Sequence, residues 1–144
     1  MSSTYDGIDF ETELQAKWAA FFDLVGWVWK KNPAPVANWK PDFRVTFDCG
    51  HSECGGSHTV LVSVLPLDDT EGVKGHPALM HVYSVKDSRG NYIADAGAIF
   101  GSSPSATRWE MAHGAGGGIE NVTKWVIDAN SLWNQAASRV SSGS

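Results

Sequence analysis

The sequence predicts an α+β fold in which a mixed central β-sheet is flanked by an N-terminal and a C-terminal helix. Apolar residues recur at helical spacing near both ends of the chain, over residues 10–25 and 119–139. Between these stretches, short runs of β-branched and aromatic residues are separated by turns rich in Gly, Pro and Asp. Two terminal helices with strands between them indicate the α+β class.

The composition is typical of a globular chain with one domain. Of its 144 residues, 42% are apolar and seven are Trp, and a chain of about this length buries roughly 68–70% of its unfolded surface. We expect a flexible N-terminus over residues 1–8, one domain over 9–140 and a flexible tail over 141–144. The net charge of −5 argues against nucleic-acid binding over the whole surface, although it is compatible with a local basic cleft.

Two features of the sequence predict a cytoplasmic protein with no membrane partner. No apolar run reaches the roughly 18 residues that a membrane span needs. The first residues contain no basic region followed by an apolar one, so we expect no signal peptide. Cys49 and Cys54 are the only cysteines, and a disulfide between them is not expected in a reducing compartment.

The first helix is predicted over residues 10–25. Asp9 is the expected N-cap, because its carboxylate can accept from backbone N–H groups of the first turn. Gly26 is expected to end the helix, since Gly readily adopts the left-handed conformation found there. The apolar stripe of this helix comprises Phe10, Leu14, Trp18, Phe21, Phe22 and Val25.

Strands are predicted at five places between the two helices. The expected ranges are 27–31, 41–47, 59–65, 80–85 and 92–100. The second and third ranges form a hairpin whose long connection is rich in Gly, Cys and His. Residues 67–78 are expected to hold at most a short helix, and another short helix is expected near residues 106–111.

The last helix is predicted over residues 119–139, because its apolar residues alternate in steps of three and four. Such a stripe is typical of a helix that packs on a sheet. The stripe comprises Ile119, Val122, Val126, Ala129, Trp133, Ala136 and Val140.

Several segments together carry a resemblance to a known family. The first predicted helix contains Leu-Gln-Ala-Lys-Trp-Ala-Ala-Phe-Phe-Asp over residues 14–23, and Trp39-Lys-Pro-Asp-Phe43 begins a strand. The next strand ends in Leu-Val-Ser-Val-Leu-Pro66, and the last helix contains Leu132-Trp-Asn-Gln-Ala136. This arrangement resembles the PD-(D/E)XK nuclease superfamily, in particular its small phage and bacterial members. The resemblance implies a restriction-endonuclease-like core, DNA as a partner and a location in a bacterial or phage-infected cell.

The resemblance also implies where a catalytic site would lie. In that family a Glu of the first helix, the Asp of Pro-Asp and the Glu of Glu-x-Lys hold one or two Mg²⁺ ions through oxygen ligands. The metal polarises the phosphate and generates the attacking hydroxide, while the Lys stabilises charge. Asp42 matches the family's Asp. Gln15, Ser63 and Leu65 occupy the positions of the first Glu, the second Glu and the Lys, so we expect a degenerate site.

Relocated residues would instead give an active, Mg²⁺-dependent DNA endonuclease. Glu11 lies one helical turn before Gln15 in the predicted helix, so it is a candidate replacement on the same face. The candidates for the second acid and the lysine are Asp68, Asp69, Lys40 and Lys74. The sequence favours the degenerate site, because three of the four family positions have lost the charge that they need.

A second candidate metal site lies between the strands of the predicted hairpin. Cys49, His51, Cys54 and His58 form the pattern C-x-H-x2-C-x3-H. Two thiolates and two imidazoles are a suitable tetrahedral ligand set for Zn²⁺, and four protein ligands would make the ion structural. The alternative is a Gly-rich connection with two free thiols.

These observations leave three interpretations of function. The leading one is a phage-associated, nuclease-like pseudoenzyme that binds nucleic acid or a protein partner. The others are an active endonuclease and a zinc-stabilised interaction module, such as an inhibitor of a host system. An aromatic and basic patch for single-stranded nucleic acid is one candidate contact, although core positions are favoured for its tryptophans. The patch comprises Trp27, Trp29, Trp39, Lys30, Lys31, Lys40 and Arg44.

Overall fold

The computed structural model describes residues 3–36, 39–48, 56–73, 75–80, 84–87, 89–113 and 116–142. Within these ranges the fold is α+β with a mixed central sheet, which confirms the predicted class. The strands are β1 (Ser3–Tyr5), β2 (Ile8–Phe10), β3 (Val28–Lys31), β4 (Phe43–Asp48), β5 (Ser57–Val64), β6 (Val85–Lys86), β7 (Tyr92–Ala94), β8 (Ala96–Phe100), β9 (Thr107–His113), β10 (Gly116–Glu120) and β11 (Ser141–Ser142). The helices are α1 (Glu13–Val25), α2 (Val122–Trp125) and α3 (Ala129–Ser138), and short 3₁₀ turns lie at Glu71–Val73 and Pro77–Met80.

The central sheet has six strands in the order β10-β9-β8-β5-β4-β3. Strands β5 and β8 pair in parallel, whereas the other neighbours pair antiparallel. A parallel pair needs a crossover, and the chain between β5 and β8 supplies it with the two 3₁₀ turns and the β6–β7 hairpin. A smaller sheet joins β11, β1 and β2.

Each face of the central sheet carries its own apolar cluster. Successive strand residues point to opposite faces, and β4 therefore buries Phe43, Val45 and Phe47 while Arg44 is exposed. Helices α1 and α3 pack over the first cluster, which also contains Trp18, Phe22 and Trp109 among its buried side chains. The second, smaller cluster on the opposite face is formed by Val36, Trp39, Leu61, Ala78, Val85, Ala94 and Ile99.

The first helix begins later than the sequence predicts. Thr12 is its N-cap, and the Thr12 hydroxyl accepts from the backbone N–H of Gln15 at 3.1 Å. The predicted cap at Asp9 is wrong, because that residue pairs with Thr4 in the small sheet. Gly26 ends the helix as predicted, with a left-handed φ of 78°.

The single C-terminal helix predicted over residues 119–139 is wrong. Ile119 lies in β10, where backbone pairing with Glu110 of β9 replaces helical hydrogen bonds. The remaining stretch divides into α2 and α3, and Asp128 between them has a left-handed φ of 58°, which a continuous helix does not allow. The segment that resembles the family's last helix, residues 132–136, does lie in α3.

The helix predicted near residues 106–111 is also wrong, since β9 occupies this stretch. Thr107, Trp109 and Met111 are buried, whereas Arg108 and Glu110 between them are partly exposed. This is the two-residue period of a strand.

The predicted strands are confirmed in most places. Strands β3, β4 and β5 lie at the three ranges predicted before residue 66, and the range 92–100 holds both β7 and β8. Of the range 80–85, Met80 lies in a 3₁₀ turn, Val85 begins β6, and residues 81–83 lie outside the described part. Strands also lie within both stretches for which the sequence predicts flexible ends, because β1 pairs with β11.

Candidate functional site

Asp42 lies immediately before β4, at the position where the family resemblance places a metal ligand. Phe43 pairs with Val62 at this end of the β4–β5 ladder, so Asp42 and Ser63 are the next residues along the chain beyond that pair. Residues two apart on a strand share a face, and Leu65 therefore follows Ser63 on the face of the second cluster. Ser63 and Leu65 are thus on one side of the sheet, and Asp42 lies just before the adjoining end of β4.

Two N–H groups hold the Asp42 carboxylate. The side-chain amide of Gln15 donates to Oδ1 at 3.1 Å, and the backbone N–H of Val64 donates to Oδ2 at 2.7 Å. The Asp42 backbone N–H also donates to the carbonyl oxygen of Val62 at 2.7 Å. The carboxylate is therefore fixed in orientation by helix α1 on one side and by strand β5 on the other.

Gln15 reaches this carboxylate because it lies in the first turn of α1. Its own Oε1 accepts from the backbone N–H of Glu11 at 3.1 Å, which leaves Nε2 to face Asp42. Thr12 and Gln15 have the spacing of a capping box, in which a Gln side chain bonds back to the residues before the helix. Glu11 itself precedes the N-cap, so the predicted placement of Glu11 inside the helix is wrong.

The other two family positions are engaged in the core of the second face. The Ser63 hydroxyl accepts from the indole N–H of Trp39 at 2.7 Å, and both side chains are buried. Leu65 packs against the second cluster. Neither residue presents the charge that the family's Glu and Lys supply.

Burial sets the electrostatics of the site. It raises the pKa of the Asp42 carboxyl above its ordinary value, and the nearby Glu11 carboxylate adds to the rise. The hydrogen bonds from Val64 and Gln15 and the proximity of His76 oppose the rise in this pKa only in part. Burial also lowers the pKa of His76, against the influence of Asp42. The Asp42 carboxyl thus lies near the Glu11 carboxylate and near the imidazole of His76. The lowered pKa of His76 favours the neutral form of that imidazole.

The candidate replacements for the lost ligands have other contacts. Asp68 accepts from the Ser102 hydroxyl at 2.9 Å, and Asp69 accepts from the backbone N–H of Glu71 at 3.1 Å. Lys40 is exposed, and Lys74 lies outside the described residues. Across the described ranges, no group of three or more His, Cys, Asp and Glu is arranged to hold a metal ion. The residues around Asp42 do not fit the oxygen-rich, anionic coordination that Mg²⁺ needs.

The predicted zinc ligands fall mostly outside the described ranges. This applies to Cys49, His51 and Cys54. His58 is described, and it lies in β5 with only 3% of its surface exposed. Its Nδ1 is 3.4 Å from Oδ2 of Asp95, and its ring contacts those of Phe47 and Trp125.

Two residues beside the site were not predicted to act there. Trp39 precedes Pro41-Asp42 in the sequence, and its bond to Ser63 depends on strand register. His76 belongs to none of the sites predicted from the sequence, and its approach to Asp42 depends on the crossover between β5 and β8. The signal that was present is the Thr12-x-x-Gln15 spacing, which predicts both the helix start and the back-bonding of the Gln15 amide.

Comparisons with known proteins leave this geometry as the main source of functional argument. Neither a protein-family model, nor a curated protein, nor a solved structure matches the chain. The described part of the chain contains no helix of the length and apolar character that a bilayer crossing requires.

Proposed function

We propose that the protein is a nuclease-like pseudoenzyme with a restriction-endonuclease-like core, of the kind associated with phages, which binds nucleic acid or a protein partner without cutting DNA. The observation that carries this proposal is the closure of the Asp42 carboxylate by the Gln15 amide and the Val64 N–H. Hydrogen-bond donors take the place that a metal ion has in an active member of the family.

The convergence of the family positions supports the nuclease-like part of the proposal. The resemblance requires residue 15 of the first helix to meet residues 42 and 63 of two neighbouring strands. Gln15 bonds Asp42, and Asp42 and Ser63 are the residues next to the last pair of the β4–β5 ladder, Phe43–Val62. A chance similarity of short motifs gives no reason for residues 27 positions apart to touch in this way.

The identity of the side chains supports the loss of catalysis. A carboxylate at residue 15 could lie 3.1 Å from the Asp42 carboxylate only if a cation were bound between them. Two like charges at this distance otherwise repel each other strongly. The amide removes that requirement by donating a proton. Leu65 packs in an apolar cluster and has no group that stabilises phosphate charge. The active-endonuclease alternative is therefore disfavoured.

A cleavage assay tests the proposal. We expect no cutting of plasmid or single-stranded DNA with Mg²⁺ or Mn²⁺, because the site lacks the anionic oxygens that hold these ions. Asp42→Ala serves as the control for contaminating nuclease. Cutting by the wild-type protein that disappears in Asp42→Ala would contradict the proposal and restore the active-endonuclease interpretation.

We further propose a structural Zn²⁺ ion held by Cys49, His51, Cys54 and His58. The support within the described residues is Asp95, whose Oδ2 lies 3.4 Å from Nδ1 of His58. A carboxylate at one ring nitrogen is a common neighbour of a zinc-ligating histidine, since it orients the ring and fixes its tautomer. The opposing interpretation is a core histidine that pairs with Asp95.

Metal analysis separates these two interpretations. We expect close to one zinc per chain after purification without added metal, and a lower melting temperature in chelator because zinc binding contributes to folding. The Cys49→Ser/Cys54→Ser variant should lose both the metal and the chelator effect. A zinc content well below one per chain, together with an unshifted melting curve in chelator, excludes the ion.

A further inference from the structure

Two cations stand opposite each other on an uncovered part of the central sheet. Lys30 of β3 pairs in register with Arg44 of β4, and Arg44 pairs with Leu61 of β5. Directly opposite residues share a face, so both cations are on the face of the second cluster. Leu61 is buried by that cluster, whereas Lys30 and Arg44 are exposed. The covering layer therefore ends between β5 and β4. We call Lys30 and Arg44 the β3–β4 basic pair.

The pair carries an electrostatic cost in the folded sheet. Directly opposite residues have Cβ atoms about 4.5–5.5 Å apart, and like charges at that distance destabilise a sheet. Among the described residues the ion pairs are Glu13–Lys17 and His58–Asp95, so no carboxylate neutralises either cation. An anion bound across both side chains would relieve the repulsion.

The neighbours of the basic pair indicate what kind of anion fits. The next row along the strands holds Val28, with 65% of its surface exposed, opposite Thr46. The preceding row holds Asp42, about 7 Å from Arg44 along the chain, and its charge is countered by two N–H donors. The surface is open and shallow. It suits a ligand that lies along the sheet rather than one that enters a pocket.

The tryptophans near the pair do not offer a stacking platform. Trp39 is buried with 5% exposure. Trp29 donates its indole N–H to Asp23 at 2.9 Å, and Trp27 stacks on Phe47 with ring centroids 4.6 Å apart. Base stacking requires an exposed aromatic face, so the single-stranded patch expected from the sequence reduces to its cations. Cations without aromatic partners are suited to backbone phosphates.

We infer that the β3–β4 basic pair contacts the phosphate backbone of duplex nucleic acid, beside the closed Asp42 site and without reading its sequence. The inference rests on the proposed function, in which nucleic acid is bound and not cut. The chain has a net charge of −5, so we expect phosphate contacts where cations are close together rather than over the whole surface.

The test is binding of labelled short duplex DNA by fluorescence anisotropy across a range of salt. We compare the wild type with Lys30→Gln/Arg44→Gln and with the control Lys124→Gln/Arg139→Gln. The control changes net charge equally, and both of its residues are exposed on helical segments that pack on the opposite face. We expect the first variant to bind roughly tenfold more weakly at low salt. The slope of log affinity against log salt should fall by about two.

Each outcome has a defined meaning. Two duplexes of unrelated sequence should bind the wild type equally, and the control should keep its affinity within about twofold and its salt slope. Equal losses in both variants would overturn the surface, because the effect would then follow net charge alone. Equally strong competition by polyglutamate would also overturn it, in favour of an acidic protein partner.

A parallel measurement of cleavage in the same samples separates this inference from the proposed function. DNA binding that is unchanged in Lys30→Gln/Arg44→Gln refutes the surface and leaves the non-cutting nuclease-like protein intact. Metal-dependent cleavage refutes the proposed function whatever the binding result. Wild-type protein that does not bind duplex DNA refutes the surface.

Discussion

The side chain of Gln15 connects the first helix to the strand of the candidate site. Its oxygen accepts from the backbone of Glu11, and its nitrogen donates to Asp42. The two ends of an amide differ in this way, whereas the two oxygens of a carboxylate do not. One substitution therefore decides whether Asp42 has a proton donor or a repelling anion beside it.

Gln15→Glu tests this role. The substitution removes a hydrogen bond to a charged group, which typically costs about 1–3 kcal/mol of unfolding free energy. It also places two carboxyls together and further raises the pKa of Asp42, which burial already raises. A raised pKa in the folded state gives stability that is lost as pH rises. We therefore expect denaturant unfolding to show a larger loss at neutral pH than near pH 5.

Gln15→Ala is the matched control, because it removes the same bonds without adding a charge. Its stability loss should vary little with pH, and Mn²⁺ should leave its melting temperature unchanged. Mn²⁺ should raise the melting temperature of Gln15→Glu, since two carboxylates are then available to one ion. Matching pH dependence in the two variants would show that residue 15 does not face a carboxylate of raised pKa.

At this scale the sequence supplied the positions but not the contacts. The resemblance to a nuclease pattern depends only on which residues stand at positions 15, 42, 63 and 65. It can therefore be recognised from the sequence alone. The bond from Trp39 to Ser63 and the approach of His76 to Asp42 depend on register and on a crossover. Both contacts are set by tertiary packing, so the spacing of residues within a short segment does not predict them.

At the scale of elements, the 3₁₀ turn Pro77–Met80 lies directly on strand β8. A Cβ atom added to Gly97 would be 2.1 Å from the carbonyl oxygen of Ala78 and 3.0 Å from Cη2 of Trp39. Only Gly permits this approach of two backbones. Ala78 of this turn and Trp39 belong to the same buried cluster, and the indole N–H of Trp39 donates to Ser63. The position of Trp39 beside Ser63 in the candidate site therefore depends on the absence of a side chain at Gly97.

Gly97→Ala should destabilise the protein because the added methyl group must displace backbone or Trp39. Overpacking of this kind costs about 1–3 kcal/mol, and occasionally more. Denaturant unfolding measures the loss. Gly72→Ala is the control, since an added Cβ there meets no atom within 4 Å. Similar unfolding midpoints for Gly97→Ala and the wild type would rule out the close packing of the turn on β8.

The elements differ in how far they could be predicted. Helix α1 follows its apolar stripe, since the same face that repeats in the sequence is the one buried on the sheet. The first stripe loses only Phe10 to a strand, whereas the stripe over residues 119–139, which has the same period, is divided among β10, α2 and α3. Pairing of β10 with β9 supplies backbone hydrogen bonds to Gly116–Glu120 that a helix would otherwise have to make. A tertiary partner thus overrides a weak local preference.

For the whole molecule, the α+β class followed from the order of patterns alone, because helices and strands differ in apolar period. The two-sided core did not, because it requires knowing that the chain between β5 and β8 folds back over one face. That layer stops short of β4, which leaves Lys30 and Arg44 uncovered. The basic face is therefore a property of the topology, although its residues were already visible as a candidate patch.

The pairing of β1 with β11 has a practical consequence for engineering. Ser3 and Ser142 are register partners, and paired Cα atoms in an antiparallel ladder lie about 4.5–5.5 Å apart. A short Gly/Ser linker can therefore join the two ends, and new termini can be opened at an exposed turn such as Gly90. The same closeness allows the chain to be inserted as a unit into a surface loop of another protein, with entry and exit at one point.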